Sequence, residues 1–400
     1  MYWIKFFFSR LLITSLFFLT NCIDKTSIRI DLISNREKSN MLALSNDKKR
    51  IIIVSQNGNV RIWDLSSGKM IKKTKLDIEC LLNFEVSPDN TKMLTKSCYS
   101  VVKLWDINNG NCLKTFKSFS THWIRSDYKF SPNGSKILLG SIDRGTYLWN
   151  INTGKFGQGF SPQKGIGIGF SQNDLKLLTL GYDTLNVWNV KQNKYEMYFQ
   201  LYNTNINSVI FSPDSKKILT GGNKSDPVVK LWNLKTRKLL KSFEGFDERI
   251  FALSFSEDGS KVLAGSGFID NEVKVWDIQT EKNLLTLRGH EWDITFATYL
   301  NKKIIITGDY TATVKLWDAQ NGQLICNLYF DFESENAWAI TTPDGRYDAN
   351  KSGLRYLFYL RGNKRITPPQ NDPNFVKGLF QEIMKNYSAS ARVPTRDLVK

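Results

Sequence analysis

KLWDAQNGQ, residues Lys315–Gln323, is the last of seven versions of one phrase. Upstream stand RIWDLSSGK (Arg61–Lys69), KLWDINNGN (Lys103–Asn111), YLWNINTGK (Tyr147–Lys155), NVWNVKQNK (Asn186–Lys194), KLWNLKTRK (Lys230–Lys238) and KVWDIQTEK (Lys274–Lys282). Each sets an apolar residue, then Trp, then Asp or Asn, ahead of polar turn formers. The tryptophans fall at 63, 105, 149, 188, 232, 276 and 317, 39 to 44 residues apart. So regular an array argues for one closed body of repeated units across the 400 residues rather than two or three unrelated domains.

Within a repeat the chain reads strand, turn, strand, turn, strand with Trp, turn, strand. The fifth shows it in Val209–Phe211, the turn SPDSKK, Ile218–Thr220, Val228–Trp232, the turn NLKTR and Leu239–Phe243. The first turn recurs as SPDN (Ser87–Asn90), SPNG (Ser131–Gly134), SQND (Ser171–Asp174), SPDS (Ser212–Ser215) and SEDG (Ser256–Gly259). These residue types preset or tolerate turn dihedrals. Short strands at even spacing, four to a repeat, predict small antiparallel sheets arranged around an axis.

With these phrases in view, the chain resembles the bacterial WD-repeat β-propeller family. The resemblance implies an all-β, seven-bladed β-propeller of four-stranded antiparallel blades. It further implies that each repeat Trp (Trp63, Trp105, Trp149, Trp188, Trp232, Trp276 and Trp317) joins a network with a Ser or Thr on the preceding strand, a His before the blade and an Asp six residues before the Trp. Asp143, Asp226 and Asp270 match the Asp, and His122 and His290 the His. The seventh repeat has His290, Thr307 and Trp317, but Thr311 stands where the Asp is expected, so its network reads as incomplete.

Such a ring closes, in this family, by lending an N-terminal strand to the last blade. Ser27–Ser34 alternates suitably, yet Gln323–Phe330 competes for the same outer slot. An eighth blade, built from residues 335–362 and the N-terminal strand, would remove the conflict and stays open as the alternative. In that segment TTPDGRYD (Thr341–Asp348) imitates the first turn of a repeat. Beyond it, Asp372-Pro373 predicts a helix start and Phe375, Val376, Leu379, Phe380 and Ile383 an amphipathic helix over Pro373–Lys385, packed on the propeller rim.

At the other end, Met1–Arg10 carries Lys5 and Arg10 and no acid, Leu11–Thr20 is a short apolar run, and Asn21-Cys22 follows. This is the pattern of a secretory signal peptide. Leu19-Thr20-Asn21-Cys22 resembles the lipobox of bacterial lipoproteins, which implies lipidation at Cys22. The expected organisation is a signal peptide (1–21), a lipid-anchored tether with an N-terminal strand (22–35), the propeller (36–331), an extension of partial blade plus helix (332–386) and a flexible tail (387–400).

Chemistry is hard to find. Two histidines in the whole chain leave little for acid–base or metal work, and both sit where the family keeps a structural His. GIGIGF (Gly165–Phe170) lacks the Lys-Ser or Lys-Thr ending of a phosphate loop and opens a strand. Cys80, Cys98, Cys112 and Cys326 form no C-x-x-C pair. Small buried thiols are the plainer account of them, with a disulfide among the first three left open. No metal, cofactor or catalytic set is expected.

The formal charge is +17, from 55 Lys and Arg against 38 Asp and Glu. The lysines are spread through every repeat without a run of five, which favours a solvated basic surface over a nucleic-acid site. The family resemblance implies a partner-binding face made by the loops entering each blade and the turns before Trp. Trp123, Arg125, Arg144, Arg249, Trp292 and Tyr310 fall there. The function expected is therefore a non-catalytic, exported protein-interaction scaffold, monomeric and held to a membrane by its lipid, facing the periplasm or the cell surface. A hydrolase or lyase with its site at the central mouth, and a binder of nucleic acid or other anions, are the alternatives.

Overall fold

The computed structural model describes residues 28–30, 40–78, 80–98, 101–116, 128–141, 145–160, 166–181, 184–200, 206–330, 337–361 and 364–388. The signal-peptide and lipobox residues, Cys22 included, lie outside these. The described strands make a seven-bladed β-propeller. Blade 1 spans Asn40–Lys75, blade 2 Leu81–Phe116, blade 3 Tyr128–Gly159 and blade 4 Ile166–Gln200; blades 5, 6 and 7 run Ile206–Phe243, Ile250–Leu287 and Ile294–Phe330. Each contributes four antiparallel strands in chain order, and the first strand of every blade lies innermost, beside that of its neighbour.

The repeat Trp residues occupy one register position. Each faces an apolar residue of the preceding strand: Trp63 faces Ile51, Trp105 Met93, Trp149 Ile137, Trp188 Leu177, Trp232 Ile218, Trp276 Val262 and Trp317 Ile305. The rings fill the wedges between blades, where planar side chains bury most area for least ordering cost.

The first turn of each repeat is held by its own side chains. In SPDN, Ser87 Oγ donates to Asp89 Oδ1 (2.5 Å), the Lys92 N–H donates to Ser87 Oγ (2.8 Å) and the Thr91 N–H to Asp89 Oδ1 (3.0 Å). The same three bonds recur at Ser212–Lys217 and Ser256–Lys261. Hydrogen bonds to Asp258, from Ser256 first and then Ser260, hold its carboxyl down to about 2, and Asp47, Asp89 and Asp214 are lowered too. A carboxylate lowered on folding stabilises the protein above its unfolded value, and that contribution is lost as pH falls through the folded one. Melting temperature should therefore fall steadily between about pH 4 and pH 2. Asp258→Asn should flatten that slope, and an unchanged slope would contradict this account of the turns.

Ring closure departs from expectation. Leu324–Phe330 fills the outer slot of blade 7 itself, while Ile28–Ile30 pairs with Leu357–Arg361 in a separate three-stranded sheet with Lys364–Ile366. Among the described residues no eighth blade forms. Trp338–Thr341 and Tyr347–Ala349 add to the edge of blade 7 through pairs such as Asn327 with Thr341, giving a six-stranded sheet. The imitation turn at Thr341–Asp348 does form, with Thr342 donating to Asp344. Pairing along an open edge satisfies these strands without a new sector of the ring.

The C-terminal helix begins later than its apolar spacing predicts, at Leu379, and runs to Ser388. Residues before it are taken up by the extension: the Tyr347 N–H donates to Asn374 O (2.9 Å) and the Val376 N–H to Tyr347 O (2.8 Å). Asp372 is not the cap. It is buried and accepts from the Tyr359 hydroxyl (2.5 Å) and the Asn374 N–H (2.9 Å). Asp348, from a neighbouring strand, instead accepts the Gly378 N–H (2.8 Å) at the start of the helix. Leu379, Phe380 and Ile383 then lie in one core with Trp63 and Leu65 of blade 1 and Leu316, Cys326 and Leu328 of blade 7. Gly68 (φ +60°) in a blade 1 turn makes room, since a Cβ there would come within 2.9 Å of Phe380.

Cys80 and Cys98 form a disulfide across the entry and second strand of blade 2, with Cα atoms 5.5 Å apart, which corrects the reading of both as buried thiols. Cys326 is buried and Cys112 exposed. Closing a span of 18 residues stabilises by roughly 3 kcal/mol in the chain-entropy account, so a reductant should lower the melting temperature by several degrees. Cys80→Ala/Cys98→Ala should melt at that lower temperature with or without it.

Candidate functional site

In blades 6 and 7 the loop entering the blade and the turn before its Trp emerge at one end of the ring, because alternate strands run in opposite directions. Of the six residues expected on this face, Trp123, Arg125 and Arg144 lie outside the described residues. So do His122 and Asp143 of the repeat networks. Arg249, Trp292 and Tyr310 are brought together at blades 6 and 7.

Carboxylates tie these loops to one another. Asp270 Oδ2 accepts the backbone N–H groups of Asp247 (3.0 Å) and Glu248 (3.1 Å) and the Ser266 hydroxyl (3.0 Å). Asp293 Oδ1 accepts the Phe268 N–H (2.6 Å), and the carbonyl of Asp293 accepts the Tyr310 N–H (3.1 Å). Asn271 Nδ2 donates to the Glu291 carbonyl (3.1 Å). On this frame Phe268, Ile269, Trp292 and Tyr310 are 56, 71, 43 and 45 % exposed. Arg249 does not stand alone at the surface, because its guanidinium lies 4.9 Å over the Phe268 ring. Phe268 and Ile269 were not among the residues expected here; two adjacent apolar residues in a Gly-, Asp- and Asn-containing turn (GFIDN, 267–271) are the signal that could have found them.

Directly beneath, the network of blade 7 is complete. Trp317 Nε1 donates to Thr307 Oγ1 (2.8 Å), Thr307 Oγ1 bonds His290 Nε2 (2.7 Å), and His290 Nδ1 bonds Asp309 Oδ2 (2.7 Å). The Asp thus sits at the end of the second strand, eight residues before the Trp, and the expectation of a missing partner at Thr311 is corrected. Asp309 Oδ1 also accepts from Thr311 Oγ1 (2.6 Å), so Thr311 supports the Asp instead of replacing it. Burial holds the imidazole below its ordinary titration range, opposed by its hydrogen bond to Asp309. At positive φ (+134°), Gly289 turns the chain so that His290 reaches under the blade.

Elsewhere the network is partial. Thr95, Thr179 and Thr220 accept from Trp105, Trp188 and Trp232 (2.7–3.0 Å). Ile53 and Leu139 stand at the Thr position in blades 1 and 3, leaving the buried Trp63 and Trp149 N–H groups without a partner. Asp226 pairs with Lys230 (2.6 Å).

At the opposite end of the ring a well of about 440 Å³ opens among the first turns, lined by Lys48, Lys129, Phe170, Phe211 and Glu257 among others. Among the described residues that line it, Glu257 is the one carboxylate. Among the described residues no three His, Cys, Asp or Glu side chains gather as a metal site, and no helix is long and apolar enough to cross a membrane.

The described architecture is a seven-bladed β-propeller with the Trp phrase at one register position in every blade. Residues 196–233 and 237–277 match the family model described as WD domain, G-beta repeat. Among solved structures, the crystal structure of the computationally designed Ika8 protein is similar, with a TM-score of 0.58, 21 % identity, and coverage of 82 % of this chain and 98 % of that one. That likeness concerns the fold alone. A search of the curated proteins finds no match.

Proposed function

We propose that this chain is a non-catalytic scaffold that is exported, tethered to a membrane by lipid on Cys22, and engages a protein partner through the loop face of blades 6 and 7. The observation that carries the reading is the exposed aromatic group Phe268, Trp292 and Tyr310 on loops already cross-linked by hydrogen bonds. A platform ordered before binding loses little conformational freedom on contact, and aromatic and Arg side chains are the usual anchors of interfaces. The Cys80–Cys98 disulfide supports an oxidising compartment, as export would provide. WD-repeat propellers commonly serve as interaction platforms.

Two measurements test this. In metabolic labelling with a clickable fatty acid, the wild type should carry the label and fractionate with membranes, and Cys22→Ala should lose both. Proximity labelling from the anchored protein should yield a partner set that Trp292→Ala and Arg249→Ala each reduce by about tenfold. Undiminished labelling by both variants would remove this face from the proposal.

A further inference from the structure

The four segments that build this face, residues 244–249, 267–272, 288–293 and 309–313, carry eight carboxylates and two cations, Arg249 and Arg288, in a chain of formal charge +17. Neither cation is free. Arg288 is bonded to Glu272, and Arg249 covers Phe268. Four of the acids are also engaged: Asp270, Asp293 and Asp309 hold backbone or side-chain donors of the loops themselves, and Glu248 is buried and paired with Lys224. Glu244, Asp247 and Glu291 remain, exposed and in no ion pair among the described residues. Asp247 and Glu291 flank Phe268, Ile269, Trp292 and Tyr310, because Asp247 is tied through Asp270 to the 267–272 turn and Glu291 adjoins Trp292.

The body of the protein would draw anions, and this patch does the reverse. The geometry points to a cationic, partly apolar polypeptide segment as its occupant: a Lys or Arg whose neighbours are apolar. Its apolar groups cover the exposed rings, its nitrogen lies over Trp292 or Tyr310, and Glu291 and Asp247 supply the opposite charge. Cations over aromatic faces are attracted by the ring quadrupole, most strongly for Trp. Carboxylates at the margin add orientation and speed of encounter more than affinity, and they exclude acidic competitors that the +17 body would otherwise collect. The inference rests on the interaction reading above and names the chemistry of the partner.

The test is selection of random twelve-residue peptides displayed on phage against the full chain, followed by fluorescence anisotropy with the recovered peptides. The expected pool is enriched in Lys or Arg next to aromatic or aliphatic residues. Its members should bind Asp247→Lys/Glu291→Lys and Trp292→Ala about tenfold or more weakly than wild type, and more weakly at 200 mM than at 50 mM salt. All three positions are exposed, so unchanged melting curves should show the variants folded. Enrichment of acidic or uncharged peptides, or cationic peptides indifferent to these variants, overturns the cationic occupant and leaves the scaffold reading standing. A pool with no enrichment counts against the scaffold reading itself.

Discussion

Truncation after Gly378 is expected to open the ring between blades 7 and 1. These two blades are neighbours in space at opposite ends of the propeller sequence, so no short connection holds them together. The helix Leu379–Ser388 lies over that seam, with Leu379, Phe380 and Ile383 at 0, 1 and 6 % exposure. Gln381 Nε2 donates to the Ser67 carbonyl of blade 1, and Glu382 accepts from Arg346 Nη1 (2.8 Å). Burying each of these three large apolar side chains contributes about 1.5–3 kcal/mol, and truncation removes all three. A net loss of about 4 kcal/mol on truncation is expected, and about 3 kcal/mol for Phe380→Ala alone. Hydrogen exchange should show it locally first, as faster exchange in Asn40–Leu44 and Leu324–Phe330 with blades 3 to 5 unaffected. Equal protection in the truncated and full chains would assign closure to other contacts.

His290→Ala should be the next most damaging change. It strips a partner from both Asp309 and Thr307 in a buried site, and each buried polar group left unpaired costs about 1–3 kcal/mol. A total near 3 kcal/mol is expected, read as a lower denaturant midpoint at constant m. In the neutral ring, Nδ1–H donates to Asp309 and Nε2 accepts the Thr307 hydroxyl, which itself accepts the Trp317 N–H; each group has one role. A second proton has no acceptor unless that chain turns round. Burial holds the His290 pKa below the unfolded value of about 6.5, so the unfolded chain takes up the proton first. The contribution is complete above pH 6.5 and is lost as pH falls through the folded value. His290→Gln should remove most of the pH dependence of stability that sets in below about pH 6.5. If it persists, its source is elsewhere.

The two sites differ in how far they were legible. Gly289-His290 and Thr307 can be recognised from the sequence, but not the Asp that completes them. A turn position six residues before Trp predicts Thr311, and only the path of the turn Asp309–Thr313 shows that the carboxylate two residues back reaches the imidazole. Trp292 and Tyr310 were expected on the loop face. That Phe268 and Ile269 join them, and that Arg249 is spent on Phe268, depends on contacts between separate loops, Phe268 with Asp293 across 25 positions and Arg249 with Phe268.

The sequence alone determined seven repeats, the strand order inside each and the turns between them. Those features depend on side chains and backbone within a few residues of one another, and Ser-x-Asp or Ser-x-Asn turns and Trp phrases repeat that local chemistry. Tertiary structure alone decided what closes the ring, that no eighth blade forms among the described residues, where the last helix starts and which cysteines join. Such choices are competitions among distant segments for one edge or one cavity, as in the bond from Gln381 to Ser67 across 314 positions. Local propensity cannot rank competitors that each satisfy it; burial and backbone pairing in the assembled ring do.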